Sequence, residues 1–271
     1  MRRIEGVIFD WAGTTVDFGC FAPINVFIDI FKGAGIYVTM EEARKPMGML
    51  KRDHIRTMLE MDRIRGLWRE NYGREFTEDD VEKLHSKFEK TLLESLSKYT
   101  EPIPEVLDAI KYLRENNIKV GSTTGYTNSM MDIVTKGAKE NGYEPDFWIT
   151  ADSTNSCGRP YPYMIFRNLE ELKISSVLSA IKIGDTESDI KEGKSAGVWT
   201  VGVVVGSSTM GLSYEEFNSL SVEEKEEAIQ VTERKFLEWG ADFTIRTMGE
   251  IGELIEKINT LISEEKSPKK Y

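Results

Sequence analysis

Several side chains suited to phosphorus chemistry stand at the ends of apolar runs in this sequence. Asp10 closes the run GVIFD, Thr124 and Gly125 close KVGSTTG, and Asp185 closes SAIKIGD, while Arg159 lies in the intervening segment CGRPYP. Together they offer a carboxylate nucleophile, a hydroxyl beside glycine N–H groups, a permanent cation and acidic oxygens for a hard metal ion. Such a set can transfer a phosphoryl group, with Thr124, Gly125 and Arg159 holding its oxygens.

The charge of such a site predicts a divalent cation. A phosphoryl dianion repels the carboxylate of Asp10, so attack by that carboxylate requires a cation that bridges the two. Mg²⁺ held by one or two carboxylates and water molecules suits this task. We expect Asp10 and Asp185 to be its first ligands, with the backbone carbonyl of Ala12 as a third. Asp189, which follows Asp185 on the predicted helix, is expected to bind the metal directly or through water.

A sheet is needed to bring these residues together. Short apolar runs predict buried parallel strands, and amphipathic stretches between them predict helices. Strands that alternate with helices predict an α/β fold with a doubly wound, mostly parallel sheet, whose ligand site lies at the carboxyl ends of the strands. The predicted strands cover residues 6–10, 119–124, 146–150, 179–185, 200–206 and 243–245, and the clearest helices cover 104–116, 127–142 and 186–197.

The stretch from residue 21 to residue 99 breaks this alternation. It contains helix-like segments and no convincing strand, so it is predicted to be an all-helical cap domain inserted after the first strand. The α/β core domain then comprises residues 1–20 and 100–271. The last segment, SEEKSPKKY, is predicted to fray.

The composition indicates a globular enzyme rather than a nucleic-acid-binding or membrane protein. The chain has 271 residues, enough for a large core, and its net charge of −11 disfavours nucleic acid as a partner. No stretch has the roughly 18 consecutive apolar residues of a spanning helix, and the N-terminus leads directly into a strand pattern. We therefore expect a cytoplasmic protein. Cys20 and Cys157 are too few for a disulfide scaffold.

The motifs, in their order along the chain, resemble those of the haloacid dehalogenase superfamily of phosphoryl-transfer enzymes. The resemblance spans nearly the whole chain and includes the helical insertion after the first strand. It implies a haloacid dehalogenase-like core with Asp10 as the nucleophile. The motifs are matched by Asp10 with Thr14, by Thr124, by Arg159 in place of the usual lysine, and by Asp185 with Asp189 in GDTESD.

Ala12 departs from the phosphatases of this superfamily, which carry a second aspartate there to protonate the leaving alkoxide. Such general-acid help is worth on the order of 10² to 10⁴ in rate, so the leaving group must be assisted differently here. Lys51 and His54 share one face of a helix predicted to begin around Leu50. A lysine amine that condenses with an aldehyde gives a protonated imine, which accepts the electron pair of a breaking bond to the neighbouring carbon. If that bond joins carbon to phosphorus, no proton donor is needed.

At this level the chain resembles the phosphonatase family of the superfamily. The similar segments are FDWAGTTVDFGCFAP, EEARKPMGMLKRDH, GSTTGYT, GRPYP and GDTESDIKEG. The resemblance implies hydrolysis of the carbon–phosphorus bond of phosphonoacetaldehyde to acetaldehyde and phosphate, through a Schiff base on Lys51 and a phosphorylated Asp10. It also implies that His54 shuttles protons. The residues expected to line or order the pocket are Met47, Cys20 and Tyr126.

The chemistry assigned to Lys51 requires a neutral amine. A solvated lysine has a pKa of about 10.4 and is mostly protonated at neutral pH, so a pocket must lower that pKa by burial or by nearby cations.

The resemblance suggests a homodimer through the cap. Phe27, Ile30 and Phe31 form an apolar face on the first helix of the insertion. This face is expected to bury either against the core or against a second copy of the chain.

Two other functions remain open. A Mg²⁺-dependent phosphatase of a small, activated phosphate ester needs no imine and keeps its activity without Lys51. A binding or regulatory protein keeps the pocket without turnover, and the departures at Ala12 and Arg159 leave room for it. A haloalkanoate dehalogenase also lacks the second aspartate, but its nucleophile attacks carbon without a metal, so the motif GDTESD disfavours it.

Overall fold

A six-stranded sheet, parallel throughout, forms the centre of the computed structural model, which describes residues 3–268. The strands are β1 (Gly6–Phe9), β2 (Lys119–Thr124), β3 (Phe147–Thr150), β4 (Ala180–Gly184), β5 (Trp199–Val203) and β6 (Phe243–Ile245). Their order in the sheet is β3-β2-β1-β4-β5-β6. The predicted parallel α/β sheet is confirmed. The end of the predicted frayed tail, residues 269–271, lies outside the described residues.

β1 lies between the two strands that carry the other motifs. Its last residue, Phe9, pairs with Ser122 of β2 and with Ile183 of β4. Because all three strands run in the same direction, the residues that follow them meet at one edge of the sheet. Asp10 follows at once, and its N–H donates to the carbonyl of Ile183 over 3.0 Å. The register thus brings the predicted nucleophile beside the acidic motif.

Between β1 and β2, all helices and strands of the described chain are helices, joined by loops and turns. This confirms the all-helical insertion, while the exact cap boundaries at residues 21 and 99 stay a prediction. One of these helices, Asp62–Tyr72, buries only Ile64 and Trp68, so its charged residues obscure the apolar stripe in the sequence. The helices are α1 (Phe21–Gly33), α2 (Met40–Arg44), α3 (Lys51–Glu60), α4 (Asp62–Tyr72) and α5 (Glu78–Ser95), followed by a 3₁₀ turn at Leu96–Lys98.

The apolar face of α1 is buried inside the insertion. The ring of Phe27 stacks on Phe88 of α5, with centres 4.3 Å apart, and on His54 of α3 at 3.8 Å. Ile30 and Phe31 on the same face are also buried. The face therefore packs against helices of its own chain, and it does not present a surface to a second copy.

The remaining helices fill the connections between the strands and follow β6. β5 ends at Val203, before the predicted end of that strand, because the chain turns at Gly206 with φ at +86° and carries Ser208 towards Asp185. None of the helices within residues 3–268 has the length and apolar character needed to cross a bilayer. These helices are α6 (Val106–Glu115), α7 (Asn128–Glu140), α8 (Tyr163–Glu171), α9 (Glu187–Ala196), α10 (Tyr214–Ser219), α11 (Val222–Glu238) and α12 (Ile251–Ser263).

Candidate active site

Asp10 stands directly after β1, and a buried arginine holds its carboxylate. Nη2 of Arg159 donates to Oδ1 of Asp10 over 2.7 Å and to the carbonyl oxygen of Thr123 over 3.0 Å. Burial lowers the pKa of Arg159, but the carboxylates of Asp10, Asp189 and Glu192 outweigh it and hold that pKa well above its ordinary value. Arg159 is therefore a permanent cation against the predicted nucleophile.

Asp10, Asp185 and Asp189 bring carboxylate oxygens within 4.8 Å of one another. Asp185 is fully buried. Its Oδ2 accepts from the N–H of Ser208 at 2.7 Å, and its Oδ1 accepts from the hydroxyl of Thr14 at 3.2 Å. Burial, followed by the charges of Asp10 and Asp189, raises the pKa of Asp185 well above its ordinary value. A bound cation relieves crowding of this kind.

Asp189 serves the start of α9 as well as the acidic cluster. Its Oδ2 accepts from the N–H and the hydroxyl of Thr186, at 3.2 and 2.5 Å, which completes a capping box. Its Oδ1 lies 3.0 Å from both Arg159 and Lys182. Burial raises the pKa of Asp189, but these two cations outweigh it, so that the pKa is lowered. Both oxygens of this carboxylate are thus engaged by the protein.

The buried charges around the cluster fit a divalent cation. Four buried carboxylates face two buried cations, so with a neutral Lys51 the set carries two excess negative charges. A divalent ion would balance them, and carboxylate oxygens are the hard donors that Mg²⁺ prefers. The acids are Asp10, Asp185, Asp189 and Glu192, and the cations are Arg159 and Lys182.

Thr124 is the last residue of β2, and Gly125 begins the turn that follows it. The hydroxyl oxygen of Thr124 accepts from the N–H of Tyr126 at 3.1 Å. Its hydrogen remains available to an oxygen in the cavity, since a hydroxyl both accepts and donates.

The cap reaches this edge of the sheet through the loop before α3. Gly48, with φ at +84°, packs so closely that a Cβ there would lie 2.3 Å from Oγ1 of Thr186. On the other side, a Cβ at Gly125 would lie 3.0 Å from the carbonyl oxygen of Met49. Only residues without side chains allow this approach. The cap loop is thereby seated between two turns of the core.

Lys51 is the first residue of α3 and is only 5% exposed. In the described part of the chain its amine makes no hydrogen bond or ion pair, and it lies 5.1 Å from the ring centre of Tyr126 and 6.0 Å from that of Phe27. Burial lowers the pKa of Lys51 and outweighs the carboxylates of Asp10 and Asp185, which raise it, while the charge of Arg159 acts in the same direction as burial. These surroundings favour the neutral amine.

His54 lies behind Lys51 on the same helix and is fully buried. Its Nε2 is 2.9 Å from the carbonyl oxygen of Ala43, an acceptor, so Nε2 carries the hydrogen. Nδ1 has no hydrogen-bond partner among residues 3–268. Burial and then the neighbouring Lys51 hold the pKa of His54 well below its ordinary value. The imidazole is therefore neutral, with one unpartnered acceptor nitrogen.

Cap and core enclose a cavity of about 20 Å³, roughly the space of one water molecule. Most of the predicted site residues line it, whereas His54, Asp185 and Asp189 lie outside its lining. A substrate larger than water needs movement of the cap or of a side chain to enter. The lining residues are Asp10, Ala12, Cys20, Met47, Gly48, Lys51, Thr124, Gly125, Tyr126, Arg159 and Thr186.

The chain as a whole is similar to known hydrolases. A family model described as haloacid dehalogenase-like hydrolase matches residues 4–197. A phosphonoacetaldehyde hydrolase of Lysinibacillus sphaericus is 56% identical over 263 residues, which make up 97% of this chain and 98% of that protein. The chain belongs to the phosphonoacetaldehyde hydrolase family. It is accordingly a hydrolase of the haloacid dehalogenase-like fold.

Two further members of this family extend the comparison. A bifunctional phosphonoacetaldehyde hydrolase/aminoethylphosphonate transaminase of Clostridioides difficile is 53% identical over 95% of this chain and 40% of that protein. The crystal structure of a phosphonoacetaldehyde hydrolase-like protein from Oleispira antarctica superposes with a TM-score of 0.94, at 36% identity, over 98% of this chain and 96% of that one. The likeness therefore covers both the sheet and the helical insertion.

Two buried charged residues beside this candidate site were not predicted from the sequence. Lys182 is fully buried within β4, and Glu192 is fully buried on α9. A signal for Lys182 was present, because a charged residue inside a buried parallel strand requires a partner. For Glu192 the signal was its position three residues after Asp189, on the same helix face.

Asp17, on the link from β1 to the cap, was also missed. Its carboxylate accepts from the N–H groups of Phe21 and Ala22, both at 3.0 Å, and so caps α1. Burial nevertheless raises the pKa of Asp17 to about 7. Asp17 and Cys20 both have positive φ, at +56° and +55°, so the chain enters the cap through strained backbone.

Proposed function

We propose that this chain hydrolyses the carbon–phosphorus bond of phosphonoacetaldehyde to acetaldehyde and phosphate. One observation carries the proposal: Lys51, a buried amine with a lowered pKa, lines the same cavity as Asp10 and Arg159. The names of the relatives support the substrate. The second activity of the bifunctional relative also supports this substrate. Transamination of an aminoethylphosphonate turns its amine into a carbonyl and so produces a phosphonate that carries an aldehyde.

In the first step, the neutral amine of Lys51 attacks the aldehyde carbon. Uptake of one proton and loss of water from the adduct leave a protonated imine that joins the nitrogen of Lys51 to the substrate. His54 is assigned to this step as a proton shuttle, because its neutral ring has an unpartnered Nδ1 and it lies three residues after Lys51 on the same helix. The substrate is then a cation beside the carbon–phosphorus bond.

In the second step, the carboxylate of Asp10 attacks phosphorus. The electron pair of the breaking carbon–phosphorus bond moves onto carbon and neutralises the imine nitrogen, which gives an enamine on Lys51 and a phosphorylated Asp10. The leaving group requires no proton as it departs. Ala12 in place of a second aspartate is consistent with this route.

The proposed metal is Mg²⁺, with Asp10, Asp185 and the backbone carbonyl of Ala12 as its protein ligands. When bound, it would offset the repulsion between the Asp10 carboxylate and the phosphonate oxygens. Asp189 is assigned to contact through water, because the hydrogens of Thr186 and two cations already occupy its oxygens.

The remaining residues of the cavity bind and shield the substrate. Arg159, the Thr124 hydroxyl and the N–H groups of the Gly125 turn are positioned for the phosphonate oxygens. The aldehyde end meets an apolar wall that keeps the amine of Lys51 desolvated. That wall is assigned to Met47, Cys20 and Tyr126.

Two waters complete the turnover. One hydrolyses the phosphorylated Asp10 and releases phosphate. The enamine takes a proton on carbon and becomes an imine, which the second water hydrolyses to acetaldehyde and free Lys51. Because imine formation released one water, the cycle consumes one water overall.

Trapping the imine tests the proposal. Phosphonoacetaldehyde followed by borohydride should reduce the imine to a stable secondary amine, and mass spectrometry should locate the adduct on Lys51. The Lys45→Arg variant is the matched control, because Lys45 lies on the same cap segment but outside the cavity lining; it should label as well as the parent protein. Absence of an adduct at Lys51, with turnover of acetyl phosphate retained in Lys51→Ala, would instead favour a phosphatase of activated esters.

The proposed assembly is a homodimer through the cap. Tyr37, Met40 and Tyr72 are exposed apolar side chains there, at 72, 39 and 44%. Sedimentation analysis of the parent protein and of Tyr37→Ser tests it: a monomer in the parent protein would contradict the dimer.

A further inference from the structure

A second buried cation stands behind Arg159. Nζ of Lys182 contacts Oγ1 of Thr123 at 2.8 Å, Oδ1 of Asp189 at 3.0 Å and Oε2 of Glu192 at 3.2 Å. Each of these oxygens is also a partner of Arg159, at 3.0 Å in every case. The two cations are therefore connected through one set of acceptors.

These shared acceptors govern how much positive charge Arg159 presents to the cavity. Arg159 by itself would face the carboxylates of Asp10, Asp189 and Glu192, and its single charge would be exceeded. Lys182 adds a positive charge on the side away from the cavity, and its charge offsets that of Glu192. In a buried site such compensation is strong, because little water screens it.

The same contacts fix the orientation of Arg159. Nε binds Glu192, Nη1 faces Asp189, and Nη2 binds Asp10 and Thr123. Glu192 is in turn held by the hydroxyl of Thr123 at 2.9 Å. Hydrogen bonds at Nε and Nη2 and an ion pair at Nη1 thus hold the guanidinium. Of the three charged residues Arg159, Lys182 and Glu192, only Arg159 lines the cavity.

We propose that Lys182 and Glu192 are a pair of positioning residues that orient Arg159 and set its net charge for binding a tetrahedral phosphorus oxyanion beside Asp10. The inference rests on the proposed function, in which Arg159 holds the oxygens of that group. The oxyanion is either the phosphonate of the substrate or the phosphate product, because both present the same charged oxygens.

The pair has effects of opposite sign on anions and cations. Lys182→Met removes a positive charge, so it should weaken the binding of inorganic phosphate and tighten the binding of a divalent cation. Each change should be on the order of 10²-fold, the effect of one unit charge on a doubly charged ion about 10 Å away at an effective dielectric constant of about 20. Lys182→Met with Glu192→Gln restores the net charge and should return both affinities towards the parent values.

The affinities are measured on the full chain by calorimetry, with Mn²⁺ alone and with inorganic phosphate at saturating Mg²⁺. The matched control is Lys194→Met with Asp242→Asn, a second buried lysine–carboxylate pair, 3.2 Å apart, outside the cavity lining. It should change the midpoint of unfolding and leave both affinities unchanged. If Lys182→Met does not fold, Glu192→Gln replaces it, with tighter phosphate and weaker Mn²⁺ expected.

Structural damage would weaken both ligands together. Loss of both affinities in Lys182→Met, or a double variant no closer to the parent than the single one, would overturn the inference. Substrate and product are examined separately, through KM for phosphonoacetaldehyde and through the inhibition constant of phosphate. If the pair positions Arg159 for both, its substitution changes the two constants in parallel. Parent protein that binds phosphate but does not turn over phosphonoacetaldehyde would contradict the proposed function and leave the affinity test of the pair intact.

Discussion

Replacement of Asp17 by asparagine should change how the stability of this protein depends on pH. The carboxyl is buried at the start of the cap, and its pKa is raised from 3.8 to about 7. A raised carboxyl pKa means that the folded state binds the proton more tightly than the unfolded state does. Stability from this group is therefore present at low pH and is lost as pH rises from about 4 to about 7.

The size of the effect follows from the shift. With a pKa of 3.8 in the unfolded chain and about 7 in the folded one, ionisation of Asp17 lowers the free energy of unfolding by about 2 kcal/mol at pH 5 and by about 4 kcal/mol at pH 8. The amide that replaces this carboxyl cannot ionise. The free energy of unfolding of Asp17→Asn, taken relative to that of the parent protein, should therefore rise by about 2–3 kcal/mol from pH 5 to pH 8.

Denaturant unfolding of both proteins at pH 5 and at pH 8 measures this gain. Asp80→Asn is the control, since Asp80 also caps a helix, but the guanidinium of Arg74 holds its pKa below the ordinary range. Asp80 is ionised in both states above pH 5, so the control should lose the same stability at both pH values. If the difference in free energy of unfolding between Asp17→Asn and the parent protein is the same at both pH values, the raised pKa of Asp17 is refuted.

Three further predictions concern activity. Gly48→Ala should lower kcat/KM by on the order of 10²-fold, because its Cβ collides with Thr186 and displaces the cap. Gly73→Ala is the control, since Gly73 also has positive φ but lies in open space, and it should leave the kinetics unchanged. Equal kinetics in the two variants would contradict the close packing of the cap loop against the core. Lys51→Met should lower kcat/KM by about 10⁴-fold or more and leave phosphate binding in calorimetry within a few-fold. Removal of divalent metal by a chelator should abolish turnover and add-back of Mg²⁺ should restore it, while full activity in the chelator would exclude the metal site at Asp185.

The sequence alone determined the architecture and indicated which candidate site residues would meet at one edge of the sheet. The strand runs are locally apolar, and a parallel sheet brings the ends of its strands together, so Asp10, Thr124 and Asp185 could be assigned to one edge before any coordinates. The helical insertion could be predicted for the same reason, since the spacing of apolar residues along a helix is a local property of the sequence. The local signal is weakest in α4, where charged residues obscure the stripe formed by Ile64 and Trp68.

Tertiary structure decided which charges face one another and how each one titrates. The sharing of acceptors by Lys182 and Arg159, the engagement of both oxygens of Asp189, and the raised pKa of Asp17 all depend on burial and on partners distant in sequence. Residue types specify what a side chain can donate, accept or ionise. Whether it does so depends on the water removed around it and on the charges brought beside it, and both are properties of the folded chain.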